Sequence, residues 1–161
     1  MEEKSDFLTA LAARVPGAIV ETSATLGDLT LVIRPESLFE IAAELKNGPG
    51  DFAVLLDLTC VDFLDRPERF EMVYHFFSLS GLRKLRVKLG LPGPDPSVAS
   101  LTPMWKNADW MEREVYDLFG VAFAGHPYLR RLFLNEEFVG HPLRKDYPFR
   151  KRQPLIPMRT P

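Results

Sequence analysis

Cysteine is nearly absent: Cys60 is the single one in 161 residues. One thiol closes no disulfide within the chain, holds no four-thiolate iron–sulfur cluster and falls short of the ligand set of a structural zinc site. Long apolar runs are equally scarce. The longest, residues 52–56, stops at Asp57, far below the about 20 apolar residues that cross a bilayer. No Gly-x-Gly-x-x-Gly or phosphate-loop spacing occurs, so no glycine-lined cradle for a nucleotide is expected. A targeting pattern is missing too. Residues 1–6 carry three acids against one lysine, and Arg14 and Pro16 interrupt the apolar stretch that follows. These absences point to a chain that is cytosolic or peripheral on something larger.

What is present is an ordinary globular composition, 46% hydrophobic and 26% charged, with an uneven charge distribution. Residues 1–129 hold 12 basic and 19 acidic side chains, a net of −7, whereas residues 130–161 hold 8 basic and 3 acidic ones, a net of +5. An acidic body with a basic tail implies that the tail meets an anionic partner: nucleic acid, a membrane surface or an acidic protein face.

The spacing predicts a first helix capped by Ser5, with Phe7, Leu8, Leu11, Ala12 and Val15 on one face, ending before Pro16-Gly17. Short β-type runs at 18–21 and 29–33, separated by a stretch with Gly27-Asp28, read as a hairpin. Pro35 opens a second helix over 36–46, which buries Leu38, Ile41, Ala42 and Leu45 and stops at Gly48-Pro49-Gly50. Three strands follow at 52–61, 70–79 and 82–89, with Asp65-Arg66-Pro67 and Ser80-Gly81 as turns. The second is mostly apolar and is expected at the sheet's centre. The third alternates in part, with one face on a core and one in water. Ten of the fourteen prolines lie at or beyond residue 92. After the loop that they open, a third helix over 104–119 is closed by Gly120. Residues 140–161 carry five prolines and six basic residues, a composition for extended backbone with little core of its own.

The expected fold class is therefore α+β: a mostly antiparallel sheet packed with helices, followed by an extended basic C-terminal tail. Three parts are expected, an N-terminal body over 1–91, a loop with the third helix and a return segment over 92–134, and a partner-binding tail over 135–161.

Chemistry-bearing residues concentrate in the third helix and beyond. Trp105, Ala108, Glu112, Val115 and Phe119 share one face, which puts a carboxylate in an apolar stripe. A buried carboxylate needs a partner. An ion pair with Arg130 or Arg131 is the structural reading for Glu112, and a general acid or base is the catalytic one. Asp109–Arg113 and Arg113–Asp117 form i,i+4 pairs. Two Gly-His-Pro triplets, with His126 and His141 fifteen positions apart, lie far from Cys60 and match no helical metal-ligand spacing. Each instead suits a turn whose imidazole bonds backbone, while the following Arg130-Arg131 or Arg144-Lys145 reaches a carboxylate on the body or on a partner. Basic residues interleaved with Tyr147 and Phe149 raise single-stranded nucleic acid as an alternative partner, but the acidic body would repel phosphates. A small free-standing enzyme would need Glu112 within about 3 Å of an atom shared with His126 or His141. Cys60 is read as strand packing.

The stretch Trp110-x-Glu112-Arg113-Glu114-Val115-Tyr116-Asp117-Leu118-Phe119-Gly120 is followed by His126-Pro127, Leu129-Arg130-Arg131 and Gly140-His141-Pro142-Leu143-Arg144-Lys145-Asp146-Tyr147-Pro148. Together these closely resemble the signature of the 30 kDa subunit family of NADH:quinone oxidoreductase, respiratory complex I, whose members are designated C. The resemblance implies a non-catalytic peripheral subunit on the cytoplasmic side of the bacterial inner membrane. It implies that the chain binds no cofactor or metal, because FMN, iron–sulfur clusters, NADH and quinone belong to other subunits. It also implies a tail laid over the quinone-site subunit, designated D, with the subunits designated B and I nearby. Glu112, Arg113, Glu114, Tyr116 and Asp117 would organise the helix–tail junction. Arg130, Arg131, His141, Arg144, Lys145, Asp146 and Tyr147 would anchor the tail to its own body and to the quinone-site subunit. The same module resembles subunits of energy-converting hydrogenases and ferredoxin-linked dehydrogenases, so the electron donor stays open.

Overall fold

A computed structural model describes the backbone of residues 2–25 and 28–153 and the side chains of 7–24 and 28–153. Helix α1 (Glu2–Arg14) leads into strands β1 (Ile19–Thr25) and β2 (Asp28–Ile33), which pair antiparallel. Ser5 lies inside α1 and is not its cap. Gly27, named above between the two runs, lies outside the described residues. A single 3-10 turn at Pro35–Ser37, with proline at its first position, opens α2 (Leu38–Asn47). Leu38, Ile41, Ala42 and Leu45 are all buried, as the spacing requires.

Three long strands follow: β3 (Val54–Asp62), β4 (Phe70–Ser78) and β5 (Arg83–Leu91). The sheet order is β1-β2-β5-β4-β3, all antiparallel except β2 with β5, where Leu29–Val32 run parallel to Leu85–Lys88. The parallel pair exists because α2 carries the chain across the sheet face between β2 and the β3–β4–β5 meander, a connection that two parallel strands need. The middle strand is thus β5, not the apolar β4 expected there, although β4 is interior. Among the described residues, helices cover one face of the sheet, and the burial along β5 alternates accordingly. Leu85, Val87 and Leu89 point into the core while the alternate Lys84, Arg86 and Lys88 stay on the open face. Alternation reports which face is covered, and a central strand shows it as readily as an edge strand.

Strand β6 (Ser97–Ala99) and strand β7 (Ala122–Ala124) form a second, parallel two-stranded sheet, with α3 (Ala108–Phe119) as the crossover between them. No pattern in the sequence announced these short strands. Helix α3 begins four residues later than the spacing predicts. The Trp105 indole N–H donates to the Ala53 carbonyl at 2.8 Å and the Asn107 amide to the Leu55 carbonyl at 2.7 Å. These bonds satisfy the outer edge of β3 and hold residues 101–107 in turns instead of helix. Trp105 still packs into the core, tilted against Phe76 at 5.3 Å between ring centroids.

Beyond β7 the described residues form no helix or strand through to residue 153; where extended backbone was expected, the tail runs in turns and bends. This segment is not an arm held away from the body: it runs back over the C-terminal end of α3 and the β3–β4 turn.

Candidate functional site: the α3 C-terminus and its strap

Helix α3 ends at Gly120, whose φ of +75° is the left-handed conformation that closes a helix. Its last turn contains no basic residue, so the partial negative charge and orphan carbonyls of that end go unanswered locally. The strap, residues 125–153, answers them. His141 Nδ1 donates to the Asp117 carbonyl at 2.9 Å, the Leu143 N–H to the Leu118 carbonyl at 3.1 Å, and Arg144 to the carbonyls of Phe119 and Gly120. The helix is capped by a segment more than twenty residues away in sequence.

Asp117, in the same last turn, is fully buried. Its Oδ2 accepts three successive backbone N–H groups, Leu132 at 3.0 Å, Phe133 at 2.8 Å and Leu134 at 2.9 Å, and its Oδ1 accepts Arg131 at 2.7 Å. Burial would raise its pKa, but these donors together hold it below the usual carboxylate value. Arg131 also donates to the carbonyls of Phe138 and Gly140. One carboxylate and one guanidinium therefore define the path of residues 131–140.

The strap's far end is fixed by a second charge cluster. Arg69, just before β4, bridges buried Asp62 (2.7 Å) and half-exposed Asp146 (2.8 Å), while the Lys145 N–H donates to Asp62 at 2.8 Å. The hydrogen bond from Arg69 pulls both carboxyls below their ordinary pKa. Arg144 lies 5.1 Å over the Phe70 ring. Tyr147 stacks on Phe138 at 6.0 Å, beneath Lys151, and its ring lies close enough to Gly140 that a Cβ there would come within 2.9 Å. Pro142 and Pro148 sit in the turns between these anchors. Asp62 and Arg69 went unnoticed in the sequence because they lie more than 75 positions from Asp146, and no local pattern links such distant groups.

Gly120 is also a packing constraint. A Cβ there would lie 2.6 Å from the Arg144 guanidinium and from the His141 ring. Gly120→Ala is expected to cost about 1 kcal/mol or more through the left-handed backbone alone, plus the displacement of both caps. A urea unfolding midpoint equal to the parent's would show that the contact carries no weight.

Several sequence expectations change here. Glu112 forms no ion pair with Arg130 or Arg131; it accepts the Ser100 hydroxyl at 2.7 Å and the Leu101 N–H at 2.6 Å. The pairing goes to Asp117 instead, because Glu112 faces the core while Asp117 faces the strap. Arg113 bonds neither Asp109 nor Asp117. It donates to the carbonyls of Arg130 and Arg131 at 3.3 Å and lies 5.0 Å over the Trp110 ring. His126 behaves as a turn residue: its Nδ1 accepts the Tyr128 N–H at 3.0 Å, so the proton sits on Nε2, which donates to the Asp109 carbonyl at 3.3 Å and lies 3.1 Å from the Asp109 carboxylate. Pro127 follows it, and Tyr128 carries Arg130 on its ring at 4.3 Å. Tyr116 meets the His141 ring edge-on. Of the two basic pairs, Arg131 reaches a carboxylate as expected, whereas Arg144 reaches carbonyls. Cys60 is buried strand packing, its thiol pushed up to about 12 by burial. No three His, Cys, Asp or Glu side chains among the described residues gather as a metal site, and no described helix is long and apolar enough to cross a membrane.

The outer surface of this assembly is unusual in its exposed rings. Trp110, Tyr128, Phe133 and Phe149 are more than half exposed, Phe149 at 98%. Glu114, Arg130, Lys145, Arg150, Lys151 and Arg152, in the same helix and strap, are also exposed. Such a mixed apolar and basic surface is that of a contact face.

Residues 31–153 match the family described as respiratory-chain NADH dehydrogenase, 30 Kd subunit. Over 148 residues the chain is 42% identical to the NADH-quinone oxidoreductase subunit designated C of Rhodobacter capsulatus, covering 91% of this chain and 74% of that one. It is 38% identical to the same subunit of Citrifermentans bemidjiense, covering 92% and 91%. Among solved structures, the trypsin-resistant fragment (1-134) of Nqo5 is 34% identical, with a TM-score of 0.67, over 80% of this chain and all of that one. A chain of the membrane-bound sulfane sulfur reductase, an archaeal respiratory membrane complex, shares the fold at 21% identity and a TM-score of 0.79, over 91% and 86%. The chain belongs to the 30 kDa subunit family of the respiratory-chain NADH dehydrogenase, the NADH-quinone oxidoreductase.

Proposed function

We propose that this chain is a non-catalytic, peripheral-arm subunit of a proton-translocating NADH-quinone oxidoreductase. In this reading the strap and the exposed rings beside α3 lie on the quinone-site subunit, with the subunits designated B and I close by, on the cytoplasmic side of the membrane. The chain positions those subunits for electron transfer from NADH to quinone, and FMN and the iron–sulfur clusters are held elsewhere. The observation that carries the reading is the preformed strap: Arg131, His141 and Arg144 are consumed in holding it on α3, which leaves Tyr128, Phe133 and Phe149 with Arg130, Lys145, Arg150 and Arg152 exposed. Folded ahead of binding, it would bind without the ordering cost of a disordered tail. The fold shared with the sulfane sulfur reductase chain supports a second reading, the equivalent subunit of a related complex with another electron donor.

Affinity purification from detergent-solubilised membranes, with the full chain and with a version ending at Leu134, tests this. The full chain is expected to recover the quinone-site subunit with its neighbours, and the shortened chain to lose most of that recovery. Equal recovery by both would remove the strap as the anchor. Mass spectrometry of the recovered subunits names the donor module and so separates the two readings.

A further inference from the structure

Glu112 is engaged by two uncharged donors only, and it has a route to solvent. The Ser100 hydroxyl donates to its Oε2, so Ser100 Oγ is left to accept from the Thr102 hydroxyl at 2.8 Å and from the Thr102 N–H at 3.2 Å. The hydroxyl order is thereby fixed as Thr102 to Ser100 to Glu112. Thr102 lines a surface cleft of about 400 Å³, together with Pro103, Lys106, Asp109, Gly125 and Pro127. Glu112 itself has no exposed surface.

The groups packed around it offer no cation. On α3, Asp109 one turn earlier adds negative charge, and Arg113 turns away to the carbonyls of Arg130 and Arg131. From β4, the hydroxyl of fully buried Tyr74 has no hydrogen-bond partner, and its ionisation is opposed by burial, then by Glu112 and Cys60 of β3. From α2, Lys46 donates to the Met104 carbonyl and lies over the Trp105 ring. From the turn after β7, His126 directs its Nε2 to the Asp109 carbonyl at 3.3 Å and lies 3.1 Å from the Asp109 carboxylate.

We propose that Glu112 is a proton-binding site of the folded chain, loaded from the 102–127 cleft through the hydroxyls of Thr102 and Ser100. In the loading step a hydronium ion in the cleft gives a proton to Thr102 Oγ1, the Thr102 proton passes to Ser100 Oγ, and the Ser100 proton passes to Glu112 Oε2. One O–H bond forms for each that breaks. The net change is one proton gained by Glu112 and one water left in the cleft. Burial, opposed by the Ser100 and Leu101 bonds, lifts the Glu112 carboxyl from 4.5 to about 7, which places occupancy in the physiological range. Neutral Glu112 joins α3 to the segment after β6 without an uncompensated charge, and the same helix carries the strap at its other end. The site belongs to the chain's own fold, whichever complex the chain enters.

The full-length chain, labelled with 13C at glutamate carboxyls, is titrated by NMR from about pH 5 to about pH 9. The Glu112 resonance, assigned through bonds to its own amide, is expected to move with a midpoint near 7. That movement is expected to vanish in Glu112→Gln, which keeps the shape of the protonated group. A Glu112 resonance that stays flat across this range overturns the proton site. For the route, Thr102→Val keeps the Ser100–Glu112 bond but removes the outer hydroxyl. Infrared detection after a pH jump is expected to show slower protonation of Glu112 in this variant. Unchanged relaxation overturns the route.

Discussion

Asp117→Ala is expected to lower folding stability by about 3–5 kcal/mol, the range for removing one partner of a buried ion pair. The carboxylate is buried and receives Arg131 together with the N–H groups of Leu132, Phe133 and Leu134. Without it, four donors lose their acceptor at once and the guanidinium keeps only backbone carbonyls. The loss is local in its consequence. Residues 131–140 lose their template, and with them go the caps that His141 and Arg144 place on α3. Two measurements check this. Guanidinium unfolding reads the stability, and limited trypsin digestion under native conditions reads cleavage after Arg130 and Arg131, which should accelerate strongly. Asp117→Asn should fall between, because an amide oxygen can still accept but carries no charge for Arg131. A parent-like digestion pattern for Asp117→Ala would show that the strap is held by something other than this carboxylate.

The second large effect is the pH dependence carried by Glu112. Its pKa is about 7 in the folded chain and 4.5 as the ordinary value. The folded state therefore binds this proton more tightly than the unfolded one. The resulting stabilisation is complete below about pH 4.5 and is lost as pH rises through about 7, a total of about 3 kcal/mol. Other groups work in the opposite sense. Burial lowers the pKa of His75 and of His141, so their contribution is present above the ordinary histidine value of 6.5 and falls away on acidification. Asp62, Asp117 and Asp146 have lowered values, and their contribution is lost only as pH falls through them, below the ordinary 3.8. The difference in unfolding free energy between the parent and Glu112→Gln isolates the one group, since the histidines and aspartates are common to both. Between about pH 5 and about pH 8 the parent should weaken relative to the variant by about 3 kcal/mol. A difference that does not change over this interval would mean that Glu112 is charged throughout.

The readings that succeeded from sequence share a physical basis. The burial of Leu38, Ile41, Ala42 and Leu45 follows from helical spacing, and the three long strands follow from apolar content bounded by turn residues. His126 and His141 could be read as turn residues because a following proline restricts the backbone of each. The pairings that failed depend on groups distant in the chain. Helical spacing placed Glu112 in the apolar stripe correctly, yet its partners, Ser100 and Leu101, come from the segment after β6, which no periodicity marks. The i,i+4 reading of Arg113 lost to backbone carbonyls at 130 and 131, because the strap passes within reach of that face. The tail was expected as extended backbone, but its described residues run in turns and bends, and its docking on α3 was visible only once the helix end was known to lack cations of its own.

The sequence by itself determined the three helices and the five strands of the main sheet, the contrast between an acidic body and a basic C-terminal segment, and the family signature, since each is written in local spacing or composition. Tertiary structure alone decided that β5 occupies the middle of the sheet, that Asp117 and not Glu112 holds Arg131, and that Arg69 joins Asp62 to Asp146. It also decided that the strap caps α3. Buried donors, acceptors and charges must each be satisfied, and the partners of Asp62, Glu112 and Asp117 lie from seven to more than eighty positions away.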